Sequence, residues 1–434
     1  MKYADNINGI TNAFKQSALE GEELDRFFCD ETMEFRTGDK YRSPIEDIFE
    51  AFKAPSEKNV FLLLGHKGCG KSTELNKMSK NLHNEDYKVL TVYCLADIDL
   101  INPDYTDLLF LIGEVLVKTA EEVKCSLNKA TKEKLLSFWS TETVKTGASG
   151  RISELAVEAE TKIETPSFLS SIINIFLNGK ADLRFNTETR TEYREIIRQR
   201  AGNWLSMLNT IADKITEKLD GKQPIIILED LDKIDPDKAW KIFYNYAATL
   251  SGFTFPVIYT FPIALSYEPR FAALEAYFKS ETLPMIKQKT VEGKAYEAGT
   301  NVIRKIIEKR ADTGLFEDNV LDTLIKDTGG SLRDLFYCIN TSATRAINRK
   351  SAVISMEDAD RALMELKSSL TRRIERKHYE FLSMIRKDIL KRKSIDDSAM
   401  LLEMLQANAV LEYNSERWHD VHPLVSKFLE GLGY

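Results

Sequence analysis

Up to about residue 260, short apolar runs alternate with stretches of helical periodicity, and beyond about residue 299 the runs stop. The runs at 60–64, 88–94, 224–228 and 255–260 lack the polar alternation of a half-solvated strand. Strands covered on both faces of a parallel sheet have this composition. Between them, the segments from Lys71, through 108–123 and around 240–250 carry apolar positions at helical spacing. Strand and helix in alternation predict an α/β architecture with a parallel, helix-covered sheet. Helices are predicted at 301–309, 317–327, 331–347 and 356–366. The tail adds helices over 378–390 and 396–407, a strand-turn-strand over 410–421 and an apolar helix over 423–432, the element order of a winged-helix domain. The predicted organisation is a helical lead-in at 1–55, a base at 56–295, a helical lid at 296–368 and a winged helix at 369–434.

Two stretches stand outside this alternation. In the lead-in, Phe27, Phe28, Phe35 and Tyr41 lie near a turn at Thr37-Gly38-Asp39 and suit a nucleobase wall or a core equally. An insertion over about 141–190 carries Gly147, Gly150, a polar-apolar alternation over 154–163 and the apolar run from Phe168 to Leu177. That run is too short to span a bilayer and reads as a helix buried against the core, with a membrane-surface or partner-binding segment as the alternative.

The candidate chemistry sits at the ends of the predicted strands. After 60–64 comes Gly65-His66-Lys67-Gly68-Cys69-Gly70-Lys71-Ser72-Thr73, a G-x-x-x-x-G-K-S loop between strand and helix. Its glycines let backbone N–H groups turn onto phosphate oxygens, Lys71 reaches the β- and γ-phosphates, and the Ser72 hydroxyl is placed for Mg²⁺. A nucleoside triphosphate is the expected ligand. The run 224–228 ends in Glu229-Asp230-Leu231-Asp232. One of Glu229 and Asp230 is expected to hold Mg²⁺ through water and the other to orient the attacking water, while Asp232 reads as a structural contact or helix cap. Thr260, taken as the tip of the neighbouring strand, is placed to contact that water or the γ-phosphate. Gly329-Gly330-Ser331-Leu332-Arg333 opens a helix with a Ser cap and a first-turn arginine, from which Arg333 can swing onto the γ-phosphate.

Composition narrows the setting. A net charge of −7 over 434 residues leaves no global basic footprint for nucleic acid. The odd, scattered set of five cysteines has no C-x-x-C pair, which points to reduced thiols and a cytoplasmic protein. Residues 1–18 are polar and no apolar run reaches spanning length, so neither secretion nor a membrane span is expected. His419 and His422 lack the companions of a tetrahedral metal set.

Taken in order, the phosphate loop, the acids at 229–232, Thr260, Arg333 and the tail resemble the AAA+ ATPases of the group containing Orc/Cdc6-type initiators and STAND-type signal-transducing NTPases. The resemblance implies ATP with Mg²⁺ at the seam of base and lid, Thr260 as sensor 1 and Arg333 as sensor 2. The initiators usually carry Asp-Glu-Leu-Asp where this chain has Glu229-Asp230-Leu231-Asp232, so the base is shorter by a methylene and slow hydrolysis is expected. Adenine rests on the resemblance together with the lack of an N-K-x-D run. Arg270 and Arg310 are candidates for an arginine finger shared between subunits.

Two functions follow as expectations. The first is an ATP-driven switch that controls its own assembly as a homo-oligomer or a separate effector protein, in a setting such as bacterial defence or stress. The second, less favoured, is a DNA-binding initiator or transposition regulator. It would use Arg372, Arg373, Arg376, Lys377, Arg386, Lys387, Lys391, Arg392 and Lys393. Against DNA, the helix that would enter a groove carries Asp396, Asp397, Glu403, Met400 and Met404, which suits packing.

Overall fold

Strand β1 (Val60–Gly65) is buried at every position and sends alternate side chains into two separate apolar layers. Leu62 and Leu64 join the layer built with the helices Tyr105–Glu122, Ala201–Lys218 and Pro236–Asn245, whereas Phe61 and Leu63 join the one built with Pro44–Lys53 and Lys71–Leu82. The period-two alternation of a strand with both faces covered produces this split, and each buried Leu or Ile contributes about 1.5–3 kcal/mol.

A computed structural model describes the chain apart from residues 38, 40–42, 54–57, 83–86, 99–100, 126–128, 141–186, 396–397 and 414–416. The expected features at Gly38, Tyr41, Gly147, Gly150, 154–163, Phe168 to Leu177, Asp396 and Asp397 lie outside the described residues.

The sheet runs β2 (Tyr87–Tyr93), β3 (Gln223–Glu229), β4 (Val257–Pro262), β1, β5 (Lys279–Thr282), with all neighbours parallel. Its register pairs Val60 with Val257 and Tyr93 with Glu229, so the carboxyl ends of β1, β3 and β4 share one edge. Ligands of open α/β sheets sit at that edge. β4 reaches Pro262, so Thr260 lies inside the strand and not at its tip.

A second core holds the helices Glu297–Glu308, Val320–Asp327, Leu332–Asn348 and Met356–Thr371. Ala4, Ile7, Ile10 and Phe14 pack into this core, while Ile45, Ile48 and Phe49 pack under the sheet. The lead-in is thus divided between the second core and the layer under the sheet. At the carboxyl end, the helices Tyr379–Lys387, Ile389–Lys393 and Ser398–Gln406 precede an antiparallel hairpin of β6 (Val410–Tyr413) and β7 (Trp418–Val421), then the helix Pro423–Gly431. Both hairpin strands are buried throughout. No helix among the described residues is long and apolar enough to cross a membrane.

Candidate functional site

The loop after β1 turns on two glycines with positive φ, Gly68 at 91° and Gly70 at 106°, where a side chain would be strained. There is also no room for one. A Cβ on Gly68 would stand 2.6 Å from the Arg333 Cβ, so the lid helix presses directly on the loop.

Lys71 and Ser72 open the helix Lys71–Leu82. Lys71 Nζ donates to Gly65 O at 2.8 Å and His66 O at 3.0 Å, and pairs with Asp232 Oδ2 at 2.8 Å. An ammonium has three protons to give, and these three partners take them. Burial opposes the charge on Lys71, but Asp232, through its charge and hydrogen bond, together with Cys69 and Glu229 outweighs it, and the Lys71 pKa is raised. Ser72 Oγ donates to Glu229 Oε2 at 3.0 Å. Burial pushes the Glu229 carboxyl up to about 7, against the Ser72 hydrogen bond, and its Oε1 is buried with no hydrogen-bond partner.

Asp230 has φ 73°, a left-handed conformation that Asp tolerates better than most residues. The turn brings Leu231 N to within 3.0 Å of Thr260 Oγ1, which in turn donates to Leu228 O at 3.2 Å. Thr260 is fully buried and fastens the end of β3 to β4. The same turn returns Asp232 toward Lys71 and leaves Asp230 Oδ1 on Lys233 Nζ at 2.5 Å. Sequence reasoning gave Asp232 only a structural part, yet it meets the loop lysine.

Above the loop is a cavity walled by Gly68, Gly70, Lys71, Ser72 and Thr73 on one side and by Leu332, Arg333 and Phe336 on the other. Ser331 caps the lid helix, accepting from Asp334 N, and so sets Arg333 in its first turn. Beyond the charged end, Leu19, Phe27, Phe28, Ile306 and Phe336 form an apolar slot of a kind that suits a flat ring. The amino-terminal segment straps base to lid across this mouth. Leu19 N donates to Thr73 Oγ1 at 3.2 Å and Asn76 Nδ2 to Leu19 O at 3.1 Å. On the lid, Ala4 exchanges backbone hydrogen bonds with Arg310 and Asp312, and Asn340 Nδ2 donates to Phe14 O at 2.8 Å.

Behind the loop stands the carboxyl-terminal hairpin. His66 Nε2 accepts from Glu412 N at 2.8 Å, Asn408 Nδ2 donates to Lys67 O at 3.4 Å, and Cys69 packs with Leu411, Tyr413 and Trp418. Burial, with weaker help from the Lys71 and His419 charges and against the Asn408 hydrogen bond, holds His66 down at about 3. Burial also lowers the pKa of Lys67. His419 Nε2 lies 2.8 Å from the Tyr267 hydroxyl, which donates to Glu412, and His422 caps the last helix.

The two finger candidates part company. Arg270 is exposed, paired with Glu268 at 2.8 Å and set 4.8 Å over Trp240. Arg310 is buried in this chain's own cavity, donating to Phe27 O and Ile306 O, out of reach of a neighbouring copy. Several of the basic tail residues are already engaged. Arg392 pairs with Asp420 at 3.6 Å and donates to Val291 O at 2.7 Å, Lys377 pairs with Glu403 at 3.0 Å, and Arg386 with Glu430 at 2.5 Å. Leu401, Met404 and Leu405 of the helix Ser398–Gln406 are buried.

A parallel sheet with a phosphate loop after β1 and paired acids at the end of β3 defines a P-loop NTPase. More particularly, the chain belongs to the KAP family, whose P-loop domain matches residues 41–259, just over half of the sequence. No curated protein matches it. Solved structures with a remote likeness include Cdc6p from Pyrobaculum aerophilum (10% identity, 97% of this chain and 98% of that chain, TM-score 0.41). Another is the ADP form of the ORC2 protein from Aeropyrum pernix (11%, 100% and 98%, 0.41). A third is the RuvB Holliday junction branch migration motor from Thermotoga maritima (10%, 90% and 94%, 0.34).

Proposed function

We propose that this protein is an ATP-binding and ATP-hydrolysing switch, whose nucleotide state sets its own assembly or the state of a separate effector protein. The observation that carries the reading is one cavity lined by Lys71, Ser72, Arg333 and the amino-terminal strap, to which Glu229 is tied through its hydrogen bond with Ser72. In this reading the loop N–H groups and Lys71 hold the β- and γ-phosphates, and Arg333 ties the lid to the γ-phosphate. The Ser72 hydroxyl and the buried, unpartnered Oε1 of Glu229 fit a hard divalent cation. When bound, Mg²⁺ would neutralise phosphate charge. Asp230 orients the attacking water and takes its proton once Lys233 releases it. Thr260 acts by holding the turn that aims Asp230. The five cysteines, none of which forms a disulfide, suit a reducing cytoplasm.

The reach of the switch is built in. The loop touches the lid through Arg333 and the carboxyl-terminal unit through His66, so closure of the one is felt by the other. Arrival of the γ-phosphate takes Lys71 from Asp232, and its loss gives the lysine back. DNA is the less favoured ligand, because Arg386 and Arg392 of the tail are engaged internally and the groove-reading candidate helix is packed.

The test is mass photometry of wild type and Lys71→Ala without nucleotide, with ADP, and with ATP and Mg²⁺, with phosphate release from the same samples. ATP-dependent assembly and phosphate release, both absent in the variant, are expected. Equal behaviour of the two proteins in all three conditions refutes the switch.

A further inference from the structure

Arg36, on the helix Thr32–Thr37, is 1% exposed and lines the nucleotide cavity. Its Nη1 donates to Pro284 O at 2.8 Å, the single hydrogen bond of the group among the described residues. Nε is buried without a partner. Nη2 lies 3.2 Å from where a Cβ on Gly70 would stand, against the loop itself. The nearest acid is Glu74, whose Oε1 is 3.9 Å from Nε, beyond hydrogen-bond distance, and already accepts from Thr32 Oγ1 at 3.1 Å. Burial raises the Glu74 carboxyl, so this neighbour is itself a reluctant anion.

A guanidinium has five N–H donors, and burying it with most of them unmet is unfavourable unless an anion completes the set. Nε and Nη2 form the side of the fork that takes two oxygens of one phosphate. Arg36 forms one wall of the cavity with Gly70, Lys71 and Thr73, with Nη2 against Gly70 and Nε buried. The γ-phosphate end of the cavity is marked by the Lys71 ammonium and the Ser72–Glu229 contact, whereas Arg36 lies where Gly70 leads into the first turn of the helix.

Resting on the nucleotide reading above, we infer that Arg36 binds the phosphates common to nucleoside di- and triphosphates, as a residue lent to the loop by the amino-terminal strap. It therefore holds ADP as firmly as ATP and leaves discrimination of the γ-phosphate to Arg333. Release of ADP then requires the strap to loosen.

The experiment is calorimetric titration of the full chain with ADP and with ATP for wild type, Arg36→Met and Arg333→Met, alongside melting of each protein without ligand. Arg36→Met is expected to lose at least about tenfold in affinity for both nucleotides by the same factor. Its ligand-free melting temperature is expected to change little, since one hydrogen bond is lost and Glu74, left without its 3.9 Å ion pair, can take up a proton. Arg333→Met is expected to weaken ATP alone. An Arg36→Met protein that binds ADP as wild type does, or that melts earlier with ADP affinity intact, overturns the assignment. If that variant does not fold, Arg36→Met with Glu74→Gln, which removes both charges together, is read by the same criteria. Wild type that binds neither nucleotide overturns the nucleotide reading instead, a result distinct from failure of the Arg36 assignment.

Discussion

The Lys71 ammonium and the Asp232 carboxylate stand 2.8 Å apart, both more than nine-tenths buried. Asp232 holds the proton of Lys71 that a nucleotide phosphate would claim, so ligand entry is an exchange of one anion for another. The site is thereby kept neutralised between ligands. A buried ion pair is strongly destabilising to break from one side, because the remaining charge is left uncompensated.

Asp232→Asn is accordingly expected to lower ligand-free stability by roughly 3 kcal/mol and to enlarge the stabilisation given by ATP, since the freed lysine no longer has to be won from a carboxylate. Thermal melts with and without ATP and Mg²⁺ decide it. A nucleotide-induced shift equal to that of wild type would count against the exchange.

Glu229 and Asp230 are expected to separate on mutation. Glu229→Gln removes the acid that Ser72 touches and should weaken nucleotide affinity only when Mg²⁺ is present. Asp230→Asn should bind as wild type does and release phosphate about 10²- to 10⁴-fold more slowly. Equal losses of affinity in both variants would show that the two acids share one task.

Thr260→Val tests whether the hydroxyl works on the ligand or on the backbone. Its two hydrogen bonds, to Leu228 and from Leu231, are both to main chain. Loss of about 1–3 kcal/mol of stability, with nucleotide affinity unchanged and phosphate release slowed through misplacement of Asp230, is expected. A direct contact to phosphate would instead appear as weaker binding of ATP than of ADP.

His66 gives a pH dependence of known sign. Its pKa, ordinarily 6.5, is held at about 3 in the folded chain, so the unfolded chain binds the proton that the native state refuses. The stability this confers is fully present above about pH 6.5 and is lost toward pH 3, at about 1.4 kcal/mol per pH unit. The difference in unfolding free energy between wild type and His66→Gln should change with that slope between about pH 6 and 4. A difference that does not vary with pH would mean that the imidazole does not resist protonation there.

The parts of the site that can be read from sequence are those whose signals are local. An apolar run, spaced glycines and Lys71-Ser72 place one wall, and four apolar residues before Glu229 place another. A serine cap three residues before Asp334 locates Arg333. What cannot be read depends on contacts between distant segments. Nothing around Arg36 distinguishes it from a surface arginine until Pro284, 248 residues later, is packed against it. Asp232 lies two residues past the recognised pair, and the left-handed turn at Asp230 that sends it to Lys71 leaves no mark on composition. The end of β4 likewise depends on pairing with a distant strand. Pro262 at the end of β4 pairs in register with Gly65, so the strand carries two residues past Thr260.

The bond from Glu412 to His66 spans 346 residues, and it bears on how the protein matures. The glycine-rich loop leaves the ribosome long before the hairpin that backs it. Nascent chains, and truncations that stop short of the hairpin, would carry every recognisable motif and still lack a supported cradle, so competence for nucleotide waits on synthesis of the hairpin.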